Sequence, residues 1–387
     1  MIKRQLTEKI LKLTSKYPVL TITGPRQSGK TTLVKSVFKS YKYVSLEDPD
    51  VREAAMEDPR RFLQGASESG LIVDEAQRAP DLFSYIQTYV DNSAAEGRIV
   101  LTGSQNFLLM ARISQSLAGR TAIFKLMPFS LAELSDAGYK MDNSGEYILK
   151  GFYPRIYDKK LEPIEWYPGY INTYLERDVR QLKNISDISS FHRFIRMCAG
   201  RTGQLLNLSS LGSECGITHS TAKAWISMLE ASSIVYLLRP YHTNFNKRLT
   251  SIPKLYFYDT GLACSLLGIK NIKELISSHF YGQLFETFII SEVLKNRLNK
   301  AEDPDLYFIR ENHGKEIDCL IQEGSDHVIG VEIKAGFTVN EDYFSGIKYW
   351  KEQSNNLISS AYVIYNGDEA QKRKYAEVIP WNRVAGI

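Results

Sequence analysis

Residues 19–32 read Val19-Leu20-Thr21-Ile22-Thr23-Gly24-Pro25-Arg26-Gln27-Ser28-Gly29-Lys30-Thr31-Thr32. A short β-rich run enters a turn with two glycines and leaves it through Lys-Thr-Thr. It continues into the helix-compatible Leu33-Val34-Lys35-Ser36-Val37-Phe38. Gly24 to Thr31 fits G-x-x-x-x-G-K-[ST], the pattern of a phosphate-cradling loop. Glycine accepts the dihedrals that turn backbone N–H groups inward, and the following helix aims its positive end at the same anion. On this reading Gly24, Pro25, Arg26, Gln27, Ser28, Gly29, Lys30, Thr31 and Thr32 bind a nucleotide. Lys30 reaches its β- and γ-phosphates, and the Thr31 hydroxyl takes a magnesium ion. ATP and Mg2+ are therefore the expected cofactors.

Working outward, Leu71-Ile72-Val73-Asp74-Glu75-Ala76-Gln77 is an apolar strand that delivers two acids at its end. Asp74 is expected to hold Mg2+, and Glu75 to orient the attacking water as a catalytic residue. Arg98-Ile99-Val100-Leu101-Thr102-Gly103-Ser104 is another buried strand. Ligands bind at the carboxyl ends of strands in open α/β sheets, which puts Ser104 in reach of the γ-phosphate or its water. Ser116-Leu117-Ala118-Gly119-Arg120 sets an arginine just before the strand Thr121–Leu126. Arg120 is expected to stabilise transition-state charge, in cis or from a neighbouring subunit, and the second case implies a homo-oligomer. Residues 2–16 and 51–67 carry helical patterns, and Tyr43-Val44-Ser45-Leu46 a strand.

The chain of 387 residues is long enough for two or three domains. With 43% hydrophobic and 24% charged residues it has the composition of a soluble globular protein. A net charge of +4 excludes a polybasic nucleic-acid binder, so any such surface is local. Cys198, Cys215, Cys264 and Cys319 show no C-x-x-C spacing, which argues against zinc and against a disulfide framework. No signal-like apolar core and no run of ~18 apolar residues occurs, so a cytoplasmic protein without membrane contact is expected.

GPRQSGKT, LIVDEAQ, LTGSQ and SLAGR, followed by Leu126-Met127-Pro128-Phe129-Ser130, together resemble a large prokaryotic family of AAA-type ATPases. The resemblance covers essentially the whole chain, including Tyr174-Leu175-Glu176-Arg177-Asp178 and the stretch 253–268. It implies an ATPase core followed by a C-terminal region of poorly defined function.

Beyond that core, Leu131-Ala132-Glu133-Leu134 starts a helix, Gly151–Arg155 forms a turn, and residues 164–184 have the pattern of an amphipathic linker helix. Residues 190–240 have the order of a winged helix: Phe191–Ala199, then 209–216 ending in glycine, then a helix from residue 217 with Ala222, Trp225, Ile226 and Leu229 on one face. A strand, Ile234–Leu238, follows. His219 falls at a helix start with no second ligand nearby, as a cap or contact residue would. Residues 177–254 hold eleven Lys and Arg against four Asp and Glu. Such a local excess suits DNA phosphates, while a protein-docking module fits the same pattern.

In the last third, Glu286 lies in an apolar helix, Asp318 in the strand Lys315–Ile321, and Glu332-x-Lys334 in the strand Val328–Lys334. Glu332 and Lys334, two apart, share a strand face. This order resembles the restriction-endonuclease-like fold, whose acids converge on Mg2+ beside a lysine.

The expected fold class is thus α/β in three parts: an AAA-type P-loop ATPase core (1–135), linker helices with a winged helix (136–252), and a restriction-endonuclease-like α/β domain (253–387). The expected function is Mg-dependent ATP hydrolysis by a protein acting on or bound to DNA, with a nuclease site at Glu286, Asp318, Glu332 and Lys334. The alternative is a non-nucleolytic ATP-dependent switch whose C-terminal domains bind a protein partner.

Overall fold

A computed structural model describes residues 2–92, 96–104, 106–175, 188–242, 252–311, 314–324, 327–353 and 358–387. Five strands build the first sheet: β1 (Val19–Thr23), β2 (Lys42–Ser45), β3 (Leu71–Asp74), β4 (Ile99–Gly103) and β5 (Thr121–Lys125). All pairings are parallel, in the order β2-β3-β4-β1-β5. Every residue of β1, β3 and β4 is buried, as a parallel sheet covered on both faces requires. Alternate side chains feed the two faces. Val19, Val73 and Leu101 pack with Phe83, Ile86 and Ile113, whereas Leu20, Ile22 and Val100 pack with Leu6, Ile10 and Val34. Because the strands run one way, the ends of β1, β3 and β4 meet along one edge, and β1, flanked by β4 and β5, is where the strand order reverses. That is where an open α/β sheet leaves a ligand crevice.

The second sheet has nine strands: β6 (Gln204–Leu205), β7 (Val235–Pro240), β8 (Lys254–Phe257), β9 (Leu306–Arg310), β10 (Glu316–Gln322), β11 (Val328–Lys334), β12 (Ile358–Tyr365), β13 (Gln371–Lys372) and β14 (Glu377–Pro380). Their order is β13-β14-β12-β11-β10-β9-β7-β8-β6. The strand expected as a wing, β7, pairs antiparallel with β8 on one side and parallel with β9 on the other, through Arg239↔Tyr307 and Pro240↔Phe308. The sheet therefore runs straight across the expected division at 252/253. One hydrophobic core likewise extends from Met127 to Val384. An edge strand exposes unpaired N–H and C=O groups, and here the next segment of chain takes them up.

Three helices, Ile188–Ala199, Leu208–Cys215 and His219–Ala231, pack beside β7. Asn207 caps the second, whose end turns through Gly216 at φ +72°. The residue capping the third is Thr218, whose Oγ1 accepts the Thr221 N–H at 3.2 Å, not His219, which is its exposed first residue. Phe191 and Phe194 meet Trp225 edge-on at 5.3 and 5.1 Å. The described part of the expected linker helix is helical, Pro163–Tyr170 followed by a wider turn through Leu175, and the rest of 164–184 lies outside the described residues. Glu176, Arg177 and Asp178 lie outside the described residues. β8 leads into helix Thr260–Leu267, which buried Asp259 caps at the Leu262 N–H while also accepting the Phe152 N–H and the Tyr167 hydroxyl.

Helix Tyr281–Asn299 lies against β8 and β11 and is buried along most of its length. β9, β10 and β11 form an antiparallel meander, helix Ser345–Gln353 follows, and β12 returns parallel to β11.

Two buried ion pairs tie the segment around residues 127–133 to the N-terminus and to the long helix. Arg4 bonds Glu133 at 3.0 Å, the Ser28 carbonyl at 2.9 Å and the Met127 carbonyl at 2.6 Å. Glu133 is at the same time half of a capping box with Ser130. On the long helix, Lys295 pairs with Glu292 and donates to the Phe129 carbonyl at 2.9 Å, and Glu292 accepts the Leu131 N–H at 2.7 Å. The four cysteines are free and buried. Among the described residues no helix is long and apolar enough to cross a membrane.

Candidate functional site

The loop between β1 and helix Lys30–Val37 needs both of its glycines. Gly24 has φ +143°, and a Cβ there would sit 2.1 Å from the Leu126 carbonyl oxygen. Gly29 has φ +94° and precedes the helix as its N-cap. Both dihedrals penalise an L side chain. The loop opens onto a cleft of about 1090 Å³ lined by Arg26, Gln27, Gly29, Lys30, Thr31, Thr32, Glu75 and Ser104. Gly24, Pro25 and Ser28 lie buried beneath it. The buried Lys30 ammonium donates to the carbonyls of Gly24 at 3.0 Å and Pro25 at 2.8 Å, which sets a positive charge in the turn of the loop.

Asp74, the last residue of β3, is gripped by hydroxyls. Thr31 Oγ1 and Tyr43 OH each donate to its Oδ2 at 2.8 Å, and Thr102 bonds its Oδ1. The grip follows from the topology: β2 and β4 flank β3, and the helix after β1 brings Thr31 over its end. Burial, reinforced by the bond to Asp74, raises the Tyr43 phenol well above its ordinary value, so it remains a donor. The next residue, Glu75, sits at φ +53°. A non-glycine residue in that region costs of order 1 kcal/mol, and such strain collects at functional sites. Glu75 Oε2 accepts from Gln77 Nε2 and, at 3.1 Å, from Ser104 Oγ. A Cβ at Gly103 would meet Gln77 Oε1 at 2.4 Å, so the small residue makes room for the amide.

Lys30, Thr31, Asp74, Glu75 and Ser104 therefore come together at one edge of the sheet. Arg120 does not join them in its own chain. It precedes β5 at the opposite edge, roughly 16 Å away at ~3.3 Å per residue of strand, and its guanidinium forks onto Asp91 at 2.6 and 3.0 Å. That bond lowers the Asp91 carboxyl below its ordinary value.

Sequence reasoning overlooked Tyr43, Thr102 and Gln77. Each stands within a stretch that was identified as a strand or motif, but only the neighbouring strands reveal its partner. It also overlooked the opposite wall of the cleft, where Pro154, Arg155 and Asp158 from helix Pro154–Asp158 face the loop.

A second cluster of charge occupies the larger sheet. Continuing the β10–β11 register, in which Cys319 faces Val331, sets Asp318 opposite Glu332. Asp318 Oδ2 accepts the Ile333 N–H at 2.7 Å, and Lys334 Nζ lies 2.6 Å from Glu332 Oε1. Glu286 approaches from the long helix. Its Oε1 accepts from Tyr256 and, at 3.2 Å, from Lys254. Lys254, buried on β8, also contacts Glu316, a pairing that no local pattern of residues signals. Burial and then the charge of Asp318 raise Glu286 to about 7 and Glu332 to about 8, against the pull of Lys254 and Lys334. All four residues expected here thus share one electrostatic neighbourhood. Among the described residues, however, no group of three or more His, Cys, Asp or Glu side chains is arranged to hold a metal ion.

Known proteins resemble this chain in three stretches. A family described as "AAA domain" matches residues 16–135, and two domains of unknown function, DUF8612 and DUF4143, match residues 141–273 and 281–384. The uncharacterized protein Rv2008c of Mycobacterium tuberculosis is 31% identical over 336 residues, 86% of this chain and 74% of that protein. An uncharacterized protein of Haemophilus influenzae is 19% identical over 396 residues, 94% of each. Among solved structures, the Walker-type ATPase PABY2304 of Pyrococcus abyssi aligns over 69% of this chain and 96% of that one, at 15% identity and a TM-score of 0.47.

Proposed function

The chain belongs to the AAA-type P-loop ATPase family, and from that premise we propose that it binds and hydrolyses ATP with Mg2+ and couples the cycle to DNA held by its C-terminal half. The observation carrying the first part is the convergence of Lys30, Thr31, Asp74, Glu75 and Ser104 on one cleft. Magnesium suits these residues, since a hydroxyl and a carboxylate already adjoin at 2.8 Å in Thr31 and Asp74. Once bound there, the ion would neutralise charge on the phosphates. Lys30 would bind the same phosphates. Glu75, aimed by Gln77 and Ser104, would orient the attacking water. The test is steady-state ATPase activity: Lys30→Ala should lose ATP binding or turnover, Glu75→Gln should keep ATP bound while turnover falls, and equal rates in all three proteins would sink the assignment.

Arg120 enters this reading only across a subunit boundary. Its distance from its own cleft supports action in trans, within a homo-oligomer. Arg120→Ala should then cost about 10³–10⁵ in turnover, the range for arginine fingers. Mixing it with Lys30→Ala subunits should restore activity, and a fully active monomer would exclude the role.

For DNA, support comes from the winged-helix order of residues 190–240 and from the local basic excess of 177–254. The strand order β9–β12 with Glu286, Asp318, Glu332 and Lys334 motivates a nuclease-like body. Binding and cleavage of supercoiled and single-stranded DNA with Mg2+, with and without ATP, test both parts. The second reading, a non-nucleolytic ATP-dependent switch that binds a protein partner, is favoured by one observation. Three basic residues of this region are committed within the fold: Lys254 is buried among acids, Arg201 is paired with Glu214, and Arg196 donates to the Leu266 carbonyl.

A further inference from the structure

The nuclease-like reading implies a divalent cation among Glu286, Asp318 and Glu332. Such an ion needs carboxylate oxygens free to approach it at about 2.0–2.6 Å. The residues present do not fit that group. Lys254 Nζ lies 3.2 Å from Glu286 Oε1 and against Glu316 Oε1. Lys334 Nζ covers Glu332 Oε1, and the Ile333 N–H occupies Asp318 Oδ2. Glu332 Oε2 remains buried with no hydrogen-bond partner.

Lys254 is held in this position by its strand. Lys254 and Tyr256, two apart on β8, share a face, and both reach the same oxygen of Glu286. The side chain is buried, and its ammonium lies over the Phe308 ring at 5.6 Å. The carboxylates of Glu286, Glu316 and Asp318 all act on it. A fixed ammonium in that place opposes a metal twice. It occupies Glu286 Oε1 and bridges to Glu316, and its charge repels a second cation across a few ångströms of poorly screened interior.

We infer that the Lys254 ammonium is the resident cation of this cluster, standing where a nuclease-like site would place a divalent ion, so that this body engages its ligand without metal-dependent cleavage. The inference rests on the nuclease-like reading only for the identity of the acids. It assigns the cluster to electrostatic support of the β8–β10–β11 surface and sides with the non-nucleolytic alternative.

Mn2+ alone, added to the full nucleotide-free chain and followed by electron paramagnetic resonance, tests it. The wild type should show no Mn2+ site that Asp318→Asn removes. Lys254→Met should gain one site, at least about tenfold tighter than any in the wild type, and Asp318→Asn in the same chain should abolish it. A wild-type site lost in Asp318→Asn overturns the inference, as does a folded Lys254→Met protein that gains none. Should Lys254→Met fail to fold by circular dichroism, Lys254→Arg, which keeps the charge, must still exclude Mn2+, and Mn2+ binding by that variant also overturns it. DNA binding in EDTA is measured in parallel. Its loss would remove the DNA reading, while the Mn2+ result alone decides the role of Lys254.

Discussion

Asp74 and Asp318 are both strand aspartates in mixed α/β surroundings. Their partners differ in kind. Asp74 is bonded by the hydroxyls of Thr31, Tyr43 and Thr102, all neutral. Asp318 accepts the Ile333 N–H, and its neighbours Glu286, Glu316 and Glu332 are paired with Lys254 and Lys334. Hydroxyl donors fix a carboxylate in direction without cancelling its charge, so it still attracts a cation. Ammonium groups fix it and cancel the charge together, which turns the acid into part of the scaffold. The presence of acids at strand positions is therefore a weak guide to metal chemistry until their donors are known.

The sharpest way to break this contrast is to neutralise one acid at each site and compare turnover. Glu75→Gln should lower ATP turnover by about 10²–10⁴, the usual worth of a positioned general base, whereas Asp318→Asn should leave it within about twofold. A large loss in Asp318→Asn, measured by phosphate release on folded protein, would put the second cluster inside the ATPase mechanism.

A smaller effect concerns the buried ion pair within the long helix, whose two members also bond residues 129 and 131. Lys295→Met leaves Glu292 buried and uncompensated, which should cost about 3–5 kcal/mol of stability. Replacing both residues with apolar ones of similar size should recover most of the loss. Urea denaturation of the two variants checks this, and equal stability of Lys295→Met and the wild type would show that the pair is not the clamp it resembles.

The pH dependence of stability distinguishes the two sites further. Glu286 and Glu332 carry folded-state values raised from 4.5 to about 7 and about 8, so the folded chain binds more protons than the unfolded one between those limits. Their contribution is fully present below about pH 4.5 and is lost as pH rises through 7 to 8. Thermal midpoints should fall over that range, and Glu332→Gln should flatten the fall. A wild-type midpoint that rises from pH 5 to 8.5, with the slope unchanged in Glu332→Gln, would contradict the assignment.

The smallest expected effect is at Tyr43. Tyr43→Phe removes one of the hydroxyls that aim Asp74, a loss of about 1 kcal/mol. The Mg2+ concentration for half-maximal ATPase activity should rise several-fold while maximal turnover changes little. Unchanged Mg2+ dependence would mean that Thr31 and Thr102 suffice.

The phosphate-binding loop was legible from residues 19–32 alone, because its turn is imposed by local dihedrals and its helix begins within the same stretch. The roles expected of Asp74, Glu75 and Ser104 followed from position, since a buried parallel strand must deliver its last residues to the sheet edge. Tyr43, Thr102 and Gln77 were not legible as partners of those acids. Their contacts cross between strands, and no local period encodes which hydroxyl faces which carboxylate. Arg4 was hidden for the same reason, 129 residues from the Glu133 that it binds.

In the C-terminal half the sequence by itself determined the succession of helix and strands and the faces on which Glu286, Asp318, Glu332 and Lys334 lie, because strand alternation is a property of the backbone. Only the tertiary structure decided that β7 and β8 would enter the same sheet as β9 to β14. That union sets Lys254 of β8 beside Glu286 and Glu316. A carboxylate cluster is a property of which strands are neighbours, and strand neighbourhood is settled by long-range pairing and burial rather than by the order of residues along the chain.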